Sequence, residues 1–247
     1  MGFERIRVLR HLFGAMAGQA LSGQESAPTV RGAVEMRSLL AELREHEMSD
    51  WLLRDLPMAV IDTETTGFDP GMDELLSIAA TIANPDRECG VFHTFVRLPA
   101  GRSIPDAVSD LTGITEDDVR EAVPAADALQ AFLQFVGDRV LVAHHAGHDV
   151  RFLNAALRRT WGIELNQHIL DTGKIAMLLH AMRKYPTLDM LLSLYDIPCD
   201  RRHTAAGDAH MTSIVLSRQL DLLLQNGVAT LGQLWAKLIV LEHAMQG

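Results

Sequence analysis

The chain has 247 residues, 48% hydrophobic and 22% charged, enough for one well-buried globular domain with additions or for two small ones. Its two cysteines, Cys89 and Cys199, share no short spacing, which speaks against a disulfide framework or a cysteine-based zinc site and favours a reducing cytoplasm. The net charge of −10 argues against a protein that coats nucleic acid, no apolar run is long enough to span a bilayer, and the N-terminus lacks a secretory pattern.

Residues 4–20 carry Ile6, Leu9, Phe13 and Met16 at helical spacing with Arg5, Arg7 and Arg10 between them, which predicts an amphipathic helix. That stripe suits packing on the chain itself, a membrane surface or a partner. A linker near 22–32 and a second helix over 33–47, with Leu39, Leu40 and Leu43 on one face, complete a helical N-terminal extension over 1–55. From Leu56 the texture changes. Met58–Ile61 reads as a buried strand, and 75–83 and 91–98 as a hairpin joined by turn residues. Pro124 opens a helix with Leu129, Phe132, Leu133 and Val136 in register, and Val140–Ala143 is another strand. Helices are expected at 149–160, 172–182, 187–195 and 205–225, the last stopped by Asn226–Gly227. A final helix over 229–245 carries Leu231, Leu234, Trp235, Leu238 and Leu241 as an apolar stripe. Three meandering strands followed by strand–helix alternation imply an α/β domain over 56–225 with a mixed central sheet, and 226–247 forms a C-terminal helix.

Three segments carry chemistry. Asp62 and Glu64 lie two apart at the end of an apolar strand, so both side chains face the same way. Adjacent carboxylates are costly without a cation, and hard oxygen ligands suit Mg²⁺ or Mn²⁺. Thr65, Thr66 and Gly67 then turn the chain and offer hydroxyls and backbone N–H groups to a terminal nucleotide. A bare Asp-x-Glu is also an ordinary acidic strand end. The second segment runs from Leu141 through His144, His145 and His148 to Asp149, which enters a first helical turn where the helix dipole favours a carboxylate whatever its role. The third is His203, in a loop, followed five positions later by Asp208 within the long helix. A loop histidine titrating near neutral pH suits a general base; a surface histidine beside a solvated aspartate is the plainer reading.

In order and in context, these segments resemble the DnaQ-like, or DEDDh, 3′–5′ exonucleases, a family that includes the proofreading epsilon subunit of bacterial DNA polymerase III. The first motif is Asp62-x-Glu64-Thr65-Thr66-Gly67, the second spans His144 to Asp149, and the third is His203 with Asp208. Leu111-Thr112-Gly113-Ile114-Thr115 resembles the family segment that abuts the 3′-terminal base, and Asp171-Thr172 resembles its helix-opening Asp-Thr. The likeness covers about 56–225. It departs at His145 and His148, where the family usually has Asn and Phe; different packing and nucleotide contacts are expected there, and either histidine invites a transition metal, although the site as a whole still favours Mg²⁺ or Mn²⁺.

The resemblance implies a ribonuclease H-like fold and two Mg²⁺ or Mn²⁺ ions about 4 Å apart held by Asp62, Glu64, Asp149 and Asp208. It implies His203 as the base that activates water, with Thr65, Thr66, Gly67, Leu111, Thr112 and His144 around the nucleotide. The expected partner is a nucleic acid 3′ end, DNA in preference to RNA, releasing nucleoside 5′-monophosphates. An exoribonuclease and a catalytically idle binding or scaffold module are the alternatives. Contact with a polymerase, or a homodimer through the terminal helices, is a further expectation, and no integral membrane association is expected.

Bound cations would recover about four positive charges against the acidic balance. Basic pairs at Arg158–Arg159, Arg183–Lys184 and Arg201–Arg202 read first as solvated surface. Asp171 reads as a helix cap, Thr115 with Asp118 as a capping box, and the Gln219–Leu223 likeness to a sliding-clamp peptide as helical core.

Overall fold

The computed structural model describes residues 50–83, 90–199 and 202–246. The expected helices at 4–20 and 33–47, the linker near 22–32, and Arg201 lie outside them. Five strands form one sheet: β1 (Met58–Thr65), β2 (Leu75–Ala83), β3 (Val91–Phe95), β4 (Val140–Ala143) and β5 (Ile169–Asp171). Their order is β3-β2-β1-β4-β5. The first three form an antiparallel meander; β4 and β5 add parallel to β1 and to each other. The mixed sheet is the one the sequence implies.

Side-chain alternation divides β1 and β4 between two cores. Ala59, Ile61, Leu141 and Ala143 face α3 (Ala125–Val136) and α4 (Gly147–Trp161), packing on Phe132, Phe152 and Leu153. Met58, Val60, Val140 and Val142 face α5 (Thr172–His180), α7 (Ala205–Gln225) and α8 (Leu231–Gln246), packing on Ile175, Leu216, Leu220, Leu231 and Leu234. Burial on both faces is why these strands read as continuous apolar runs rather than alternating ones.

β5 and the short helix α1 (Asp106–Thr112) escape the sequence reading, and of α2 (Glu116–Arg120) it shows only the capping box that opens it. β3 also stops at Phe95 and not at residue 98; Val96 still donates its amide to the Leu76 carbonyl of β2 and makes a parallel bridge with Val123. The remaining helix, α6 (Leu188–Leu194), lies where expected. Thr115 and Asp118 form the reciprocal capping box of α2, and Asp171 caps α5 by accepting from the Gly173 and Lys174 amides. Gln219 is fully buried in α7 and donates to the Thr172 carbonyl, so this stretch is not an extended clamp peptide.

The stripe on α8 closes the second core of this same domain. Leu231 and Leu234 are fully buried there beside Leu53 and Leu56. Residues 51–53 pair with 229–231 through Leu53 N–H to the Ala229 carbonyl and Leu231 N–H to the Trp51 carbonyl. The described pieces on both sides of 56–225 therefore share its core. Among the described residues no helix is long and apolar enough to cross a membrane.

Candidate active site

The even-numbered positions of β1 face α7, so Asp62 and Glu64 emerge on that side at the carboxyl end of the central strand, opposite Ala79 and Ser77 of β2. Asp208, in the first turn of α7, comes to meet them. One carboxylate oxygen each from Asp62, Glu64 and Asp208 lie within 4.8 Å of one another. Asp149 approaches from the opposite face, in the first turn of α4. Thr63, which points to that face, donates its hydroxyl to Asp149 Oδ1 at 2.8 Å. Asp149 stands outside the tight group, yet its charge reaches both Asp62 and Glu64.

Crowding and burial shape the electrostatics. Burial, with Asp149, Glu64 and Asp208 nearby, holds the Asp62 carboxyl well above the ordinary carboxylate range. Glu64 is pushed up to about 7 by burial, then by Asp208 and Asp149. Asp149 is likewise raised to about 7 by burial, against the opposing hydrogen bond from Thr63. Asp208 is buried, and among the described residues its Oδ1 has no hydrogen-bond partner. A buried carboxylate oxygen without a donor is costly. A hard divalent cation would satisfy it, and the all-oxygen donor set fits Mg²⁺ or Mn²⁺.

A cavity of about 320 Å³ opens beside this cluster, lined by Asp62, His144, His145, Tyr185, Pro186, Thr187, Leu188, Arg202 and Asp208. His144 Nδ1 lies 3.1 Å from the Thr172 hydroxyl, and the ring also hydrogen-bonds the backbone at Pro186. Burial lowers its pKa against the pull of Asp171, which favours the uncharged ring in the wall. The loop beneath it is fixed by a network around buried Asp171. Tyr185 donates to Asp171 Oδ1, accepts from the His145 amide at 2.7 Å, and Asp171 Oδ2 accepts from the Ala146 amide at 3.0 Å. This network holds His145 at φ 62, a left-handed conformation uncommon outside glycine.

The other candidates take different places. Thr65 donates to the Gly67 carbonyl, and the Thr66 hydroxyl donates to Asp73 while accepting from the Glu74 amide. These hydroxyls are committed to the turn after β1. A Cβ on Gly67 would stand 2.4 Å from the Asp73 carboxylate, so a larger residue there would displace Asp73 from its hydrogen bonds with the Thr66 hydroxyl and the Asp69 amide. His148 lies 3.3 Å from the Thr65 hydroxyl and packs its ring on Phe152, filling an apolar slot while keeping a polar contact. Leu111 is exposed at the end of α1, and buried Thr112 donates to the Val108 carbonyl; neither lines the cavity. His203 is exposed on the loop before α7 at φ 61, close enough to Asp189 for its charge to be felt there, and it does not line the cavity.

The neighbour of His203 corrects the sequence reading. Arg202, taken as half of a solvated basic pair, turns inward. Its Nε donates to Asp189 Oδ1 at 2.6 Å and its Nη1 donates to Asp208 Oδ2. Arg158 and Arg159 are exposed, pairing at the surface with Glu164 and Glu74, and Arg183 and Lys184 are exposed as well, so these two pairs are solvated as expected. Tyr185 and Asp189 carry no local signal, since each acts on a partner more than a dozen residues away.

Carboxylates at the end of the central strand of a mixed five-stranded sheet define a nuclease-type centre, and comparison with known proteins agrees. Residues 59–216 match the RNase_T family model, described as an exonuclease. The chain is 30% identical over 180 residues to the PolC-type DNA polymerase III of Thermotoga maritima, covering 73% of this chain and 13% of that one. It is 29% identical over 178 residues to the Bacillus subtilis PolC-type enzyme, covering 72% and 12%. The chain thus spans only a small part of the length of these relatives. Among solved structures, E. coli exonuclease I with a dT13 oligonucleotide superposes with a TM-score of 0.57 at 16% identity, over 68% of this chain and 43% of that one. Exonuclease X with 5′-overhanging duplex DNA gives 0.53 at 23% identity, over 69% and 93%. These likenesses show the ribonuclease H-like fold. The chain belongs to the DnaQ-like exonuclease family.

Proposed function

We propose that this domain is a metal-dependent 3′–5′ exonuclease of the DEDDh type that hydrolyses the terminal phosphodiester of DNA, preferably at single-stranded ends. The observation that carries the reading is the meeting of Asp62, Glu64 and Asp208, with a buried Asp208 oxygen among them that has no hydrogen-bond partner among the described residues. The PolC-type relatives and the DNA-bound neighbours support DNA over RNA as substrate.

Asp62, Glu64 and Asp208 would hold two Mg²⁺ or Mn²⁺ ions, with Asp149 completing the set from the opposite face of the sheet. When bound, the ions supply charge neutralisation at the phosphodiester and a water ionisable near neutral pH. Thr63 orients Asp149 through its hydroxyl. His203, exposed on the loop leading into α7 and outside the cavity lining, would serve as the base for the attacking water by a swing of that loop. His144 and the backbone held by Asp171 and Tyr185 shape the wall against which the terminal nucleotide rests.

The test is a 5′-labelled single-stranded DNA and its RNA counterpart, each incubated with the full chain and Mg²⁺, Mn²⁺ or EDTA. A metal-dependent ladder shortening from the 3′ end is expected, faster on DNA. Asp208→Ala should slow it by at least about a hundredfold, since even groups that only orient metal ligands cost roughly ten- to a hundredfold. A faster RNA ladder would make the domain an exoribonuclease. Absence of a ladder with either metal would leave a binding module.

A further inference from the structure

Three partly or wholly buried carboxylates converge from β1 and α7, a grouping that a nearby positive charge stabilises. Among the described residues the cavity offers one guanidinium, that of Arg202. Its fork bridges two acids that are far from each other in sequence, Asp189 on α6 and Asp208 on α7. The two anchors differ. The side chain of Asp208 is 13% exposed and that of Asp189 is 62% exposed, with Arg202 itself at 16%. One end of the fork is therefore seated in the carboxylate cluster and the other at the solvent rim. The charge of Arg202 is felt at Asp62 and at Glu64, where it opposes the rise imposed by burial and by the other acids.

We propose that Arg202 is a built-in counter-cation of the carboxylate cluster, competing with divalent metal for Asp208 and withdrawing toward Asp189 when metal enters. This rests on the metal-dependent reading above and adds a residue that sets the affinity of the site. A guanidinium donating to Asp208 Oδ2 occupies a ligand oxygen and places a full positive charge beside an incoming dication; both effects oppose metal binding. Asp189 supplies a second resting place that costs the arginine little to keep, because that contact is already made. Arg202 precedes His203 directly, so withdrawal of the guanidinium changes the footing of the loop that carries the proposed base.

Calorimetric titration of Mn²⁺ into the full-length chain tests this without reference to turnover. Arg202→Gln should bind Mn²⁺ about tenfold more tightly than wild type, the effect of removing one charge-assisted hydrogen bond to a ligand. Arg202→Lys keeps the charge but not the two-pronged fork and should fall between them. In ¹⁵N spectra, the Arg202 Nη signals should move on addition of Mg²⁺ while the Nε–H, held by Asp189, stays protected. Equal or weaker Mn²⁺ binding by Arg202→Gln, with Arg202→Lys equal to wild type, would overturn the competition and make Arg202 a support for Asp208. Absence of Mn²⁺ binding by every variant would instead overturn the metal-dependent reading itself, and this inference with it.

Discussion

Gly173 and Tyr185 show how single positions hold the wall of the site. A Cβ on Gly173 would stand 2.1 Å from the Tyr185 ring, so only glycine lets the ring lie against α5 and reach Asp171. Gly173→Ala should cost about 2 kcal/mol, the usual cost of overpacking a tight contact, read from urea unfolding. Tyr185→Phe keeps the ring and removes the hydroxyl that Asp171 and the His145 amide share. It should cost roughly 1–2 kcal/mol and lower cleavage more than binding, because the loop from His144 to Ala146 loses its tie. An unchanged unfolding midpoint in Tyr185→Phe would mean that water replaces the hydroxyl without loss. The sequence displays part of this scale. The two-residue period of a strand is enough to put Asp62 and Glu64 on one side, and a helix start is enough to place Asp149 and Asp208 in first turns. Arg202, Tyr185 and Asp189 are invisible there, because their roles come from partners brought in by the fold.

At the scale of elements, length decides what can be read. α3, α4 and α7 run for 12, 15 and 21 residues and show more than three helical turns of apolar spacing. β5, α2 and α1 have 3, 5 and 7 residues, too few to establish a period, and are defined by what they pair with or cap. β5 exists because β4 offers it a parallel edge. On sequence alone the stripe on α8 is open between self-packing and a partner; in the described residues Leu231, Leu234 and Leu238 are buried in one cluster with Ile175 of α5, Leu216, Leu220 and Leu223 of α7 and Met58 of β1. Leu234→Ala should therefore cost about 2–5 kcal/mol, as for other buried leucines. Chemical unfolding measures it, and a loss below about 1 kcal/mol would mean that α8 is peripheral.

For the whole molecule, the dominant tension is acid crowded beneath an overall charge of −10. Glu64 and Asp149 are each held at about 7 in the folded protein. In the unfolded chain such groups ionise near 4, so across roughly pH 4 to 7 the native state keeps protons that the unfolded state has released. Their raised values contribute stability that is fully present below the unfolded pKa and is lost as pH rises through about 7. Without metal, the melting temperature should therefore fall between about pH 4 and about pH 7 and level off above that, as the cluster is forced to ionise inside the fold. Divalent cations bind the ionised form, so their stabilisation grows over the same interval and should flatten or reverse that slope. Differential scanning calorimetry in EDTA and in Mn²⁺ at both pH values measures the two slopes. Parallel slopes would show that the cation does not engage these carboxylates. A Glu64→Gln protein, which has no proton to lose at that position, should show a shallower metal-free slope than wild type, and this separates the cluster from the many surface acids that also titrate.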